Sequence, residues 1–294
     1  MSQLKGKKGS ERVGQILLWA FLLLALAAFS IPYLFMITNS FEQFSFSLPF
    51  PPRLFPKQIV FDAYHYILGL DIFTAAFRNS IINTVLTVMF ELLVATLSAY
   101  GFARISFPGR EILFKLYLLT LMVPGFLNII PQFITLGAIK LPLPGLTEGL
   151  VGTRPGLILI YVATGICGHT FFLRNFFRGL PDALSESVIM DGGTHMTIFT
   201  RIMLPLSKPA IGTMTIFALQ GIWEEYFTAK ILLGANEAMI TLPMLLQRLN
   251  GEHATRWEWV FAASIIIQIP VIILFILFQR KTVIGGLSEG AVKQ

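Results

Sequence analysis

Carboxyl groups in apolar surroundings are where this chain could do chemistry. Glu91 sits in the middle of an apolar run from Ser80 to Ala103, and Glu224-Glu225 stand between Trp223 and Tyr226. An ionisable side chain in such a run needs a partner or water. For Glu91 two readings are open. It is either a carboxyl buried against another helix, protonated or hydrogen-bonded to Asn or Ser, or a group on a transport path. The Trp223-Glu224-Glu225-Tyr226 cluster is equally ambiguous. Aromatic and carboxyl groups together can stack on and hydrogen-bond a sugar, yet they also pack at ordinary helix kinks. A third acidic pair, Glu186 and Asp191, lies in a polar stretch between two apolar runs. No catalytic residue suggests itself, because Ser, His and Asp form no nucleophile pattern. No metal site does either, since His65, His169, His195 and His253 are scattered and read singly as hydrogen-bonded structural residues. The Gly-rich phosphate cradle that ends in Lys-Ser or Lys-Thr is missing. Cys167, the one cysteine, stands among Gly165, Ile166 and Gly168 and reads as a small packing residue.

The elements that must position these groups follow from composition. Of 294 residues, 55% are hydrophobic and 13% charged. A soluble domain carries about 25% charged residues, so much of this surface faces lipid. The net charge of +6 does not point to nucleic acid, because the basic residues lie beside apolar runs. Six spans are expected, near 16–37, 80–103, 112–136, 157–173, 210–233 and 259–278. Ala25-Leu26-Ala27 resembles a cleavage site, but the apolar run continues past it, so the first span reads as an anchor. Pro124-Gly125 and Pro131 should kink the third span. Residues 1–15 form an N-terminal segment, 16–38 the first span and 39–75 a Phe- and Pro-rich loop. In that loop Phe44, Phe46, Phe50, Tyr64 and Tyr66 suit a short interfacial element. Residues 76–280 form the main membrane domain and 281–294 a tail.

One stretch between spans, 181–209, is neither membrane nor ordinary loop. Pro181 and Asp182 suit a helix start, and Leu184, Val188 and Ile189 recur at helical spacing. Gly192-Gly193 permits a turn. Thr194 can cap a second helix that carries Met196, Phe199, Ile202 and Met203 on one side and ends at Pro205. Lying flat on a membrane would ask for a basic polar face. Acidic Glu186 and Asp191 fit docking into a partner's groove better. Six spans put both termini on the side of this knob. Thirteen Lys and Arg fall on that side, from Lys5 to Lys293 by way of Arg104, Arg174 and Lys208, against Arg53, Lys57, Lys140, Arg154, Arg248 and Arg256 on the other. That imbalance makes the termini and the knob cytoplasmic.

The knob's residues also resemble a known pattern. Glu186-Ser187-Val188, Asp191-Gly192-Gly193, Ile202 and Leu204-Pro205 match the spacing of the "EAA" coupling motif of ABC-importer membrane subunits. The usual form there is Glu-Ala-Ala, two residues, Asp-Gly-Ala, and later Ile-x-Leu-Pro. Ser187, Val188 and Gly193 depart from the three alanines. Asn79-Ser80, Tyr100-Gly101-Phe102-Ala103-Arg104, Thr241-Leu242-Pro243 and the tail from Gly286 to Lys293 resemble the smaller membrane subunit of maltose-type, carbohydrate-importing transporters. Glu224 departs from the Trp-Asn-Glu-Tyr usual in that branch.

This resemblance implies an all-α integral membrane protein with the six-helix type I ABC importer fold and a cytoplasmic coupling loop. It implies a permease subunit in a bacterial cytoplasmic membrane, paired with a second homologous permease. Two ATPase subunits would hold ATP and Mg, this chain binding no cofactor, and an extracytoplasmic sugar-binding protein would deliver the carbohydrate. Glu186, Ser187, Asp191, Gly192, Gly193, Leu204 and Pro205 would couple to the ATPase, and Leu287, Ser288, Gly290 and Ala291 of the tail would reach between the ATPase subunits. Trp223, Glu224, Glu225, Tyr226 and Glu91 are the expected substrate pathway. The competing class is an ion-gradient-driven secondary transporter in which Glu91 or Glu225 carries a coupling proton.

Overall fold

A computed structural model describes residues 2–43, 54–234, 236–252 and 256–291, with the backbone alone at 2–13, 252 and 278–291. The described residues are helices joined by turns. They are α1 (Ser2–Asn39), α2 (Asp62–Leu68), α3 (Asp71–Arg104), α4 (Arg110–Leu119), α5 (Ile129–Ala138), α6 (Arg154–Gly179), α7 (Ala183–Met190), α8 (His195–Ile198), α9 (Leu204–Leu206), α10 (Lys208–Trp223), α11 (Phe227–Leu233), α12 (Leu242–Glu252) and α13 (Trp257–Ala291).

Four helical stretches are long and apolar enough to cross a membrane: Gly14–Asn39, Asp71–Arg104, Arg154–Gly179 and Trp257–Leu277. Six are reached if two bent pairs each count as one span. The first pair, Arg110–Met122 with Gly125–Ala138, bends by 95°. Pro124 causes this: the residue before a proline is driven out of the helical region, and Val123 is extended at φ −85°, ψ 117°. Pro131 leaves α5 intact, since it falls in the first turn, where no helical N–H bond is lost. The second pair, His195–Leu206 with Lys208–Trp223, bends by 73°. The fifth span is therefore not one continuous helix over 210–233. Its α10 stops at Trp223, and α11 resumes at Phe227.

The chain divides into two compact units. One comprises Met1–Leu70 and Leu246–Ile266. Within it α2 carries Tyr64 and Tyr66 into ring contacts. Tyr64 stacks on Phe41 at 5.0 Å and shares a 2.7 Å hydrogen bond with Ser40, while Tyr66 stacks on Trp259 at 3.6 Å. Burial pushes the Tyr64 phenol above its usual pKa, and the Ser40 bond opposes that rise. Phe44, Phe46 and Phe50 lie outside the described residues.

The other unit, Asp71–Leu245 with Ile267–Gln294, contains the candidate site. Its axis is α3, which packs most extensively against α6. Small residues allow the close approach: Ala95 and Ala99 are fully buried, and a Cβ on Gly165 would overlap the Glu91 carboxylate. Cys167 is buried in α6 and accepts a 3.2 Å hydrogen bond from Thr120 Oγ1. At one end of α3 a core forms from Ala95, Ala99, Tyr100, Leu173, Phe177, Ile198, Phe199, Met203, Ala210 and Met214. This core fixes the segment that follows α6.

Candidate functional site

The segment after α6 is a helix, turn, helix knob. α7 ends in a Schellman closure: Gly193 N–H reaches Val188 O at 2.8 Å, and Gly192 N–H reaches Ile189 O at 2.9 Å. Gly192 occupies the left-handed region at φ +77°, where other residues are strained. Gly193 is required for a different reason. A Cβ there would lie 2.5 Å from Val188 Cγ1 and 2.9 Å from Val188 O. The larger Val188 and the smaller Gly193 therefore compensate each other in volume. Thr194 caps α8 in a reciprocal capping box with Thr197.

Several features of the knob differ from the sequence reading. Asp182 occupies the N-cap position without a side-chain cap, because its carboxylate pairs with Arg104. Pro205 does not end the second helix. The turn before it, Phe199–Met203, widens to a π-helix, which accommodates the missing N–H, and the break comes at Ser207. Ile198, Phe199 and Met203 point into the core, whereas Met196 is 63% exposed. Simple helical spacing thus misplaced Met196 and overlooked Ile198.

Glu186, Ser187, Asp191, Gly192 and Pro205 are exposed, while Gly193 and Leu204 are half-buried. Ser187 Oγ turns back to Leu184 O at 3.1 Å. Ile189 and Met190, the latter 86% exposed, share the outer surface with the two carboxylates. The knob thus offers acidic and flexible apolar groups together, a combination suited to a groove on another protein.

Deeper in the bundle the carboxyls are engaged. Glu91, 2% exposed, lies 2.6 Å from His169 Nδ1. Its partner is a histidine of α6 rather than Asn or Ser, and Gly165 leaves the space for the pair. Glu225 accepts from Tyr161 OH at 2.5 Å, Thr228 N at 2.7 Å and Ala229 N at 3.1 Å, so it caps α11. Its neighbour Glu224 is exposed, and the adjoining Tyr226 is half-buried at the start of α11. Trp223 is buried and donates Nε1–H to Ile267 O at 3.0 Å. It also lines a small apolar recess with Thr84, Gln220, Val271 and Phe275. The four residues of this cluster therefore do not converge on one surface. Leu287, Ser288, Gly290 and Ala291 have helical backbone within α13, and their side chains lie outside the described residues, as does His253.

No family model matches the chain. Individual relatives do. The arabinooligosaccharides transport system permease protein AraQ of Bacillus subtilis (strain 168) is 36% identical over 241 residues, covering 81% of this chain and 80% of AraQ. The chain belongs to the permease family of ABC transport systems. The trehalose transport system permease protein SugB of Mycobacterium tuberculosis is 32% identical over 82% of this permease and 85% of SugB. The diacetylchitobiose uptake system permease protein NgcG of Streptomyces coelicolor is 29% identical over 95% of this permease and 87% of NgcG. The fold agrees with a chain in the crystal structure of a bacterial ABC transporter involved in import of the acidic polysaccharide alginate. That match has a TM-score of 0.76 at 24% identity and covers 92% of this permease and 97% of that chain. The permease is a multi-pass membrane protein.

What sequence reasoning missed in this permease is how the knob is held. Tyr100 OH donates to His195 O at 3.1 Å and lies 3.1 Å from His195 Nδ1. Arg104 Nη2 donates to Phe177 O and Leu180 O, both at 2.6 Å, while Nη1 pairs with Asp182. Arg174, buried, donates to both Glu111 carboxylate oxygens at 2.7 and 2.8 Å and to Phe102 O at 3.2 Å. The i, i+4 spacing of Tyr100 and Arg104 at the end of α3 was the available signal.

Proposed function

We propose that this permease is one subunit of an ATP-driven, binding-protein-dependent importer of carbohydrate, most simply an oligosaccharide, in a bacterial cytoplasmic membrane. The observation that carries this is agreement among relatives. AraQ, SugB and NgcG, matched over four-fifths or more of this chain, belong by name to transport or uptake systems for arabinooligosaccharides, trehalose and diacetylchitobiose. A second homologous permease subunit completes the translocation path. Two ATPase subunits hold ATP and Mg, and an extracytoplasmic sugar-binding protein supplies substrate. A related fold occurs in an alginate transporter crystallised with an alginate pentasaccharide-bound periplasmic protein, with a TM-score of 0.70 at 19% identity.

In this reading the knob enters a cleft of one ATPase subunit, with both termini on the same cytoplasmic side. Glu186, Asp191, Ile189 and Met190 face outward and would meet that cleft. Gly192 and Gly193 set the turn, and Leu204, beside exposed Pro205, ties the second helix to the core. Leu287, Ser288, Gly290 and Ala291 extend toward the ATPase pair. Closure of that pair on ATP then rocks the spans between inward- and outward-facing states. An ion-driven reading would have to move its proton at carboxyls that already have partners inside the chain. Glu225 is committed to three donors and Glu91 to His169.

The test is affinity purification of the tagged chain from its source membrane, followed by uptake assays in vesicles with and without ATP. An ATPase and a second permease should co-purify, and uptake should require ATP and the binding protein. Uptake by this chain alone, driven by a proton gradient, would replace the proposal.

A further inference from the structure

The joints that connect the knob to its flanking helices are poor conductors of force. Between α6 and α7 the backbone is extended at Leu180 (φ −78°, ψ 142°), and between the second knob helix and α10 it bends by 73°. α3 has no such joint. It runs unbroken from Asp71 to Arg104, and it grips the knob from the side. Arg104 holds the end of α6 and the N-cap residue of α7, through Phe177 O, Leu180 O and Asp182. Tyr100, one turn back on the same face, holds the start of α8 through His195 O. Its ring packs on Phe177 and Phe199 as well.

The far end of α3 is anchored just as firmly. Asn79 Nδ2 donates to Ala238 O at 2.8 Å and Ile240 O at 3.0 Å. Ser80 Oγ accepts from Leu242 N at 2.8 Å, and Asn79 Oδ1 accepts from Arg154 at 2.7 Å. Twenty residues separate Ser80 from Tyr100, a rise of about 30 Å, close to the hydrocarbon thickness of a bilayer. Asn79, Ser80 and Ile240 are buried, so this anchorage is not a surface accident.

We infer that α3 is a push-rod that couples the knob to the segment 238–242 at the opposite end of the bundle, with Tyr100 and Arg104 as positioning residues at one end and Asn79 and Ser80 at the other. A push on the knob displaces α3 and with it the carbonyls of Ala238 and Ile240. By reciprocity, a ligand that moves segment 238–242 changes how the knob presents itself. The inference rests on the importer reading, because the push comes from the ATPase, but it names a route that the reading does not require.

The experiment uses the complete transporter in vesicles, with Cys167→Ala removing the native thiol and a spin label on Ala238→Cys, an exposed position. The signal is the change in label mobility when ATP is added in place of ADP. The labelled parent should show a clear shift. Tyr100→Phe, which deletes one neutral hydrogen bond, should reduce the shift about threefold, and Arg104→Gln, which deletes charge-assisted bonds, about tenfold or more. Asp182→Asn offers a variant that leaves the core untouched, its side chain being 82% exposed, and it should fall between the two. ATPase co-purification should stay at the parental level in all three. A full shift in Arg104→Gln or Asp182→Asn complexes would overturn the push-rod. So would a parent that imports sugar with no shift at 238, or variants that lose only thermal stability. Failure of the parent to bind an ATPase or import sugar is a separate result, and it strikes the importer reading itself.

Discussion

Acidic side chains occupy two regions of this permease under opposite conditions. In the bundle, Glu91 and Glu225 each find a partner inside the chain, a histidine in one case and a tyrosine with two backbone amides in the other. On the knob, Glu186 and Asp191 are exposed beside Ile189 and Met190. A buried carboxyl without a partner costs several kcal/mol, so the bundle's acids had to be satisfied internally. The knob's acids are under no such demand, because water solvates them where they stand. Under the proposed function, outward display on a stiff frame is the sign to test first, and position in an apolar run the second.

The largest effect should come from breaking that frame. Replacing Gly192 with Trp forces a side chain into the left-handed region at φ +77°, costing about 1–2 kcal/mol of local strain, and turns Asp191 away from its present direction. Uptake should be abolished while immunoblots show the protein still in the membrane. Normal uptake by this variant would count heavily against docking through the knob.

Next in size is the buried pair. Gly165→Ala places a methyl on the Glu91 carboxylate and pries it from His169, a loss of about 3 to 5 kcal/mol for a broken buried pair. The purified transporter should melt at lower temperature. Glu91→Gln keeps the shape and a hydrogen bond, and ATP-driven uptake should survive it. Loss of uptake at unchanged stability would return Glu91 to the transport path.

These two regions were unequally legible in the sequence. The knob announced itself because its glycines, its cap Thr194 and its acidic residues are local signals within a short stretch. Its face was misread at Met196, which is exposed although it shares helical spacing with buried Phe199. The spans were legible as apolar runs, but the interruption at Glu224–Tyr226 was not. No proline or glycine marks it, and the capping by Glu225 that stabilises it involves Tyr161, 64 residues away. The Glu91–His169 pair is invisible for the same reason: its residues are 78 apart, and only the packing of α3 on α6 unites them.

A third prediction sharpens the contrast within the knob. Gly193→Ala should destabilise the turn by about 1–3 kcal/mol through overpacking against Val188. Val188→Ala in the same chain should restore part of it, since the Cγ1 contact goes while the 2.9 Å approach to Val188 O remains. Uptake in the single and double variants, measured as initial rates, gives the coupling between the two sites. Additive losses would show that the volumes do not compensate.

The smallest effects separate the neighbours Glu224 and Glu225. Glu225→Gln keeps an acceptor at the Oε2 position for Tyr161 and Ala229 but brings an amide group against the backbone N–H of Thr228, so thermal stability should fall by about 1–3 kcal/mol. Glu224 is exposed, and Glu224→Asn should change stability by no more than about 0.5 kcal/mol, as surface substitutions do. If Glu224 faces the sugar, competition assays with several oligosaccharides should nevertheless show a reordered preference in that variant. A reordered preference at constant stability would make it the one acidic residue of the bundle that behaves like those of the knob, displayed for something outside the chain. An unchanged preference would remove Glu224 from substrate selection and leave the division between bundle and knob complete.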